Sequence, residues 1–419
     1  MVSKSRGIDR TIDAMVAIAL VGVAWLTVMG HRGLAPCAGF MALGVAMRKD
    51  TWRAAFYSMA PGRFAANPAS IAFLCASAFC FWVAVTSLWS PTQGGIVLAL
   101  TVFAAVATAT ALVYEALTAA APRLRFFAFM VAGAISIASC ALLFEGLSGA
   151  YLRDVIPPQD ASPLRWKDFV ALGRGVTAMA PLIFPVAVII WRVTGSREAA
   201  AAPVLVLFVA ATRFSIFTNV AAIALGAACF SLAFFRPKAT LLLIVLIFLA
   251  ALLGAPLIGA FVDLEGIAAS GGLPMSWAQR AIIWAETSRL ALGVCAPFGC
   301  GADFSRALAA DARLIEVPGA PGGLPAMPIH PHNAFLQIWL ELGLPGVVAA
   351  ASALIAAAIS LYKLSMSRPA FAAICGALAA SLISLLVEAS LWQAWRLAVF
   401  GLAAFACTVA YRLDNSRGV

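Results

Sequence analysis

Residues 239–262 read ATLLLIVLIFLAALLGAPLIGAFV, with no charged side chain anywhere in the run. Crossing a hydrocarbon core of about 30 Å takes about 20 such residues. Lipid cannot satisfy free backbone N–H and C=O groups, so the run must be a helix. Comparable runs lie on both sides of it, at 11–29, 33–47, 69–89, 94–119, 125–147, 170–191, 200–212, 215–235, 333–361, 369–388 and 391–411. The fold expected is therefore all-α: a polytopic membrane protein of about twelve transmembrane helices. The runs 33–47 and 200–212 are short for spans, which leaves eleven or thirteen open.

Composition agrees. Of 419 residues, 63% are hydrophobic and 11% charged, with a mean hydropathy of +0.98, where a soluble domain carries about 25% charged residues. No stretch is polar enough to cover a soluble catalytic domain. Frequent Ala, Gly and Ser suit close helix–helix approach.

The basic residues set the orientation. Lys4, Arg6 and Arg10 precede the first span, and Arg48, Lys49 and Arg53 follow the second. Counting in pairs of spans, Arg123 with Arg125, Arg192 with Arg197, Arg236 with Lys238, and Lys363 with Arg368 fall on the same side, as do Arg412 and Arg417. By the positive-inside rule both termini are cytoplasmic. This bias accounts for most of the net charge of +10; a nucleic-acid surface would need a basic face interleaved with aromatics, and none is present. The first span has a basic flank but no A-x-A cleavage site and is followed at once by another span, so it reads as an uncleaved anchor.

Three regions result: helices one to nine over 1–262, a large outer loop over 263–332, and three more helices with a short tail over 333–419. The loop holds an amphipathic helical stretch, Ser276 to Leu292, suited to lying on the membrane or capping a cavity. A Gly- and Pro-rich tract from Val317 to Pro331 reads as a lid or linker. Cys295 and Cys300 are the two cysteines outside the spans. An oxidising compartment would allow them to pair, and the spacing leaves pairing open. Asp263, Glu265, Asp303, Asp311 and Glu316 are scattered, with no metal-binding spacing, so neither a metal nor another cofactor is expected.

The sharpest local signal is His330-Pro331-His332-Asn333 at the head of the tenth span. Asn333 is a good N-cap, placing His332 at the positive end of a helix, where anions are favoured. On an unbroken helix Gly343 would lie about 20° around the axis from His332 and Gly346 within about 40°. One face would then carry a histidine at its mouth and two glycines below it, open to a neighbouring helix or a lipid chain. Pro345 would bend that helix.

His332-Asn333, nine residues, Gly343, two residues, Gly346 is the pattern H-[NSQ]-x9-G-x2-[GTY], and it resembles the O-antigen ligases. Ser87-Leu88-Trp89-Ser90-Pro91 is similar to that family's S-x-W-S-x-P signature. Ala211-Thr212-Arg213 resembles its S-R-[GA] start, with Thr212 for the usual serine, and Arg280 with Trp284 its R-x3-W segment. Pro297-Phe298-Gly299-Cys300-Gly301 with Phe304 looks like P-[LF]-G-x-G-x2-[NF]; Asp303 stands where Asn is common. The resemblance covers Trp89 to Gly346 in order. It implies a glycosyltransferase of the inner membrane with its site on the periplasmic face. The donor would be a glycan on undecaprenyl pyrophosphate and the acceptor lipid A–core oligosaccharide.

The residues themselves admit such chemistry. Arg213, Arg280 and His332 come from three segments that all map to the outer leaflet. Guanidinium groups bind pyrophosphate bidentately and can replace a divalent cation, and a neutral histidine can take a proton from an acceptor hydroxyl. These three are the expected catalytic residues, with Arg174, Asn333, Gly343 and Gly346 expected at the substrate. Arg396 has either a substrate role or an ion pair with Glu388. A sister polymerase of the same superfamily is the nearest alternative reading. A transporter or flippase would call for internal repeats and midplane charges, and the charges here gather at the faces.

Overall fold

The computed structural model describes residues 2–48, 68–214, 216–310, 314–317, 320–325, 327–388 and 390–415. Lys49, Arg53, Asp311 and Arg417 lie outside them.

The first half of the chain forms α1 (Val2–Met29), α2 (Leu34–Ala46), α3 (Pro68–Thr86), α4 (Gly94–Thr118) and α5 (Ala121–Ser148). After the short α6 (Tyr151–Val155) come α7 (Arg165–Met179), α8 (Ile183–Thr194), α9 (Arg197–Thr212), α10 (Phe217–Phe235) and α11 (Pro237–Phe261). Among the described residues eight helices are long and apolar enough to cross a membrane, or nine if the bent pair α7–α8 is one span. The chain is a multi-pass membrane protein. The expected number of about twelve is not reached by this measure, for reasons of length and continuity. At about 1.5 Å per residue, α2 and α9 reach only about 20 and 24 Å. The apolar part of α3 is likewise short, Ser70–Thr86. The run read as one span over 170–191 is two helices bent by 55°. Pro181 and Pro185 fall at the bend and remove two backbone donors there.

The loop after α11 is folded. It contains α12 (Leu264–Ala269), α13 (Met275–Leu292), α14 (Phe304–Ala310) and an antiparallel pair, β1 (Leu314–Val317) and β2 (Ala320–Pro325), with Leu314 opposite Pro325. The amphipathic stretch is thus a helix, and it packs on protein: Ala278, Ala281, Ile282 and Ala285 are buried with Leu264. The tract expected to be a linker supplies a strand, so the fold is all-α apart from one hairpin. The chain then closes with α15 (Ala334–Lys363), α16 (Arg368–Val387) and α17 (Ala394–Asn415).

Ionic contacts define one end of the bundle. Arg48 pairs with Asp9, Arg123 reaches Asp13 at 2.7 Å and Glu115 at 2.8 Å, and Arg412 donates to the Ala119 carbonyl at 3.3 Å. At the other end of α4, about 37 Å away along 25 residues, the segment before it meets the disulfide-closed turn of the large loop. Cys295 and Cys300 are bonded, with Cα atoms 4.8 Å apart. Trp89 Nε1 donates to the Gly299 carbonyl at 3.1 Å, and Ser90 Oγ to the Ala302 carbonyl at 2.6 Å.

Candidate active site

The site is built around the head of α15. Asn333 caps that helix, its Oδ1 accepting from Phe335 N at 2.9 Å and Leu336 N at 3.0 Å. The side chain expected at the substrate therefore spends its oxygen on the helix. His332 precedes the cap with φ +54, outside the helix. Its backbone N–H donates to His330 Nδ1 at 3.2 Å, and the two rings lie 4.4 Å apart. The His332 Nδ1 is buried without a hydrogen-bond partner.

The helix is not continuous, which corrects the in-phase reading of the two glycines. Gly343 has φ 62 and ψ −162, a break between two helical segments. On α11, Lys238 lies over the Tyr362 ring at 4.5 Å, yet Trp339 Nε1 donates to the Leu252 carbonyl and Phe335 meets Phe248. Residues 334–342 thus turn back over α11 instead of extending the line of 344–363. The disulfide turn satisfies the break. Cys300 N donates to the Leu340 carbonyl, Gly301 N to Glu341 and Leu344 N to Pro297, while Trp82 Nε1 takes the Leu342 carbonyl at 2.8 Å. Gly343 is occupied by that turn. Gly346 packs on the Leu342 side chain of its own helix.

Around His332 gather groups from α7, α13 and the α16–α17 turn. Arg280 Nε donates to the Val387 carbonyl at 3.0 Å and Nη1 to the Ser276 carbonyl at 2.9 Å, with the guanidinium 5.4 Å from the Trp277 ring. Burial lowers its pKa, with Glu388 opposing. Arg396 is 4% exposed, bonded to Ser384 Oγ and stacked on Trp395 at 4.6 Å, and its Nε has no partner. Its partners are thus that hydroxyl and Gln393 Oε1 at 3.4 Å, and Glu388 adds attraction at longer range. Glu388 accepts from Thr218 Oγ1 at 2.5 Å and from Thr177 Oγ1 at 3.1 Å, in a polar cluster that also includes Asn219 and Ser384. Arg174 is exposed in a stretch of α7 that is otherwise buried from Ala171 to Met179.

These cations act on the histidines. Burial and then Arg280 lower the His332 pKa to about 4, with Arg174 and Arg396 adding to it. His330 falls to about 3, through burial first and then His332 and the same arginines. His31, buried against Trp395 at 4.9 Å, falls to about 4 through burial and then Arg174. All three rings are neutral at pH 7.

Of the residues expected from sequence, His332, Arg280 and Arg174 come together. Arg213 stands apart: it is exposed at the end of α9, its Cβ against Gly146, and its side chain makes no hydrogen bond or ion pair among the described residues. Arg396 joins the cluster instead, and His31, edge-on to Trp395 beside it, was not foreseen. An arginine inside an apolar span, as at 396, is itself a functional signal; nothing local marks His31.

No curated protein matches the chain. The O-antigen ligase family model matches residues 182–351, which run from α8 through the break in α15 and include Arg213, Arg280, His332, Gly343 and Gly346. Over that region the chain is similar to the O-antigen ligase family.

Proposed function

We propose that the protein is an O-antigen ligase, moving a glycan from undecaprenyl pyrophosphate to lipid A–core oligosaccharide on the periplasmic face of the inner membrane. The observation that carries this reading is the unpartnered Nδ1 of a neutral histidine set among Arg280, Arg174 and Arg396. Nδ1 takes the proton of an acceptor hydroxyl, whose oxygen attacks the anomeric carbon. The bond from that carbon to the pyrophosphate oxygen breaks, and its electron pair leaves with the pyrophosphate. Attack opposite the leaving group inverts the centre. The arginines bind the charge that grows on the leaving group, which is why no metal is invoked.

Two features support the assigned sides. Arg48, Arg123 and Arg412 share one end of the bundle, as a cytoplasmic face requires. The Cys295–Cys300 disulfide lies at the opposite end, as an oxidising compartment favours.

A lipopolysaccharide gel from a strain lacking the gene tests the proposal. Loss of the whole O-antigen ladder with intact core is the expected result. Core carrying one repeat unit would instead make the protein the sister polymerase, and unchanged lipopolysaccharide would overturn both.

A further inference from the structure

The carboxylate of Glu341 takes no part in the chemistry above, yet it is completely buried, two residues before the break in α15. Oε1 accepts from Ser305 Oγ at 2.5 Å, Ser305 N at 3.3 Å and Gln337 Nε2 at 3.0 Å. Oε2 accepts from Asp303 N at 2.9 Å and the Trp392 indole at 2.5 Å. All five donors are neutral. Burying a carboxylate is costly even when it is well bonded, and an apolar side chain of similar volume would often serve stability as well or better. The buried acid therefore calls for another explanation.

The donors supply one. They come from three separate places: the start of α14 after the disulfide turn, the 334–342 segment, and the turn between α16 and α17. Gln337 doubles the last link, its Oε1 accepting from Leu391 N at 3.0 Å. That same turn begins at Val387, whose carbonyl accepts from Arg280 Nε at 3.0 Å, and leads into Arg396.

We propose that Glu341 is a positioning residue: it locks the 334–342 segment to the α16–α17 turn and so sets His332 against Arg280 and Arg396. The proposal rests on the role of His332 given under Proposed function. A carboxylate suits the task because it is acceptor-only, with room for several donors on two oxygens. Glutamine keeps the volume but turns an –NH₂ toward the Trp392 indole or Ser305, donor against donor, and so breaks one arm.

The test uses the purified full-length protein in lipid, comparing wild type, Glu341→Gln and Trp392→Phe. Four quantities are read: kcat, donor KM, the thermal midpoint, and the rate at which diethylpyrocarbonate modifies His332, followed by peptide mass spectrometry. Glu341→Gln should keep the Cys295–Cys300 bond and a near-native midpoint. Its kcat should fall roughly 10- to 100-fold with donor KM within about threefold, the split expected of misplaced catalytic geometry. Its His332 modification rate should change by about threefold or more, because the ring's surroundings move. Trp392→Phe removes one donor and should give a smaller fall of the same kind; it decides the matter if Glu341→Gln does not fold. Wild-type kcat and wild-type His332 reactivity in the variants overturn the proposal, as does a kcat loss that merely tracks a lowered midpoint with His332 reactivity unchanged. Should wild type transfer no glycan, the ligase reading fails, and the reactivity of His332 still decides whether Glu341 positions it.

Discussion

Gly343 and Gly299 meet backbone to backbone: a Cβ on Gly343 would lie 2.4 Å from the Gly299 nitrogen, and one on Gly299 2.6 Å from the Gly343 nitrogen. Both residues have positive φ, 62 and 80. A helix that breaks inside an apolar bundle exposes carbonyls that lipid cannot satisfy, and here the turn at 297–301 supplies the missing donors. The P-F-G-C-G segment and the glycines of the histidine motif are thus two halves of one joint.

That joint predicts the first result. Gly343→Ala and Gly299→Ala should each cost at least about 3 kcal/mol, from left-handed strain plus backbone collision. Gly254→Ala in α11, where a Cβ meets nothing within 4 Å, should be neutral. Thermal unfolding in lipid measures all three, and a native-like Gly343→Ala midpoint would contradict the joint.

The arginines should separate by kinetics. Arg280→Ala and Arg174→Ala are expected to reduce transfer by about 10²-fold or more, since each bears on His332 and the leaving pyrophosphate. Lysine keeps the charge without the planar fork and should restore activity only partly. Arg213 lies outside that field, so Arg213→Ala should raise donor KM by about tenfold and leave kcat nearly intact. A collapse of kcat in Arg213→Ala would put that residue at the reacting phosphates. Chelators should change nothing.

His332 and His330 should differ. Removing a general base costs about 10²–10⁴ in rate, so His332→Ala should retain donor binding and lose turnover, whereas His330→Ala should lose little. Because His332 titrates at about 4, activity should hold from pH 7 to about 5 and fall through 4. Stability has its own pH window. The folded values of about 4, 3 and 4 for His332, His330 and His31 lie below the ordinary 6.5, so the fold favours the neutral rings. Their contribution is complete above about 6.5 and is lost as pH falls from there toward about 3, the His330 value. An activity profile breaking near 6.5 would mean that His332 is solvated during turnover.

Topology admits a direct check. A periplasm-active reporter fused after Gly322 should be active, and one fused after Lys363 inactive. The reverse pattern would put His332 on the cytoplasmic side and end the proposed mechanism.

Much of this molecule is legible in one dimension because its constraints are local. Run length and lipid's lack of hydrogen-bonding partners make 239–262 a helix wherever it sits. Asn333 caps α15 because its own backbone neighbours are the donors. His332 stood out by its place before that cap, and Arg280 by its resemblance to a family segment. What spacing could not supply was contact between distant residues. Periodicity placed Gly343 on one face of a straight helix, but the turn at 297–301 offers the donors that make a break affordable, and the helix breaks. Arg174 and Arg396 lie in different helices, and only the packing of those helices brings their charges to bear on His332. Arg213, equally polar and equally near a span end, is left outside, because helix ends are placed by bundle packing and a residue's own neighbours in sequence carry no record of it.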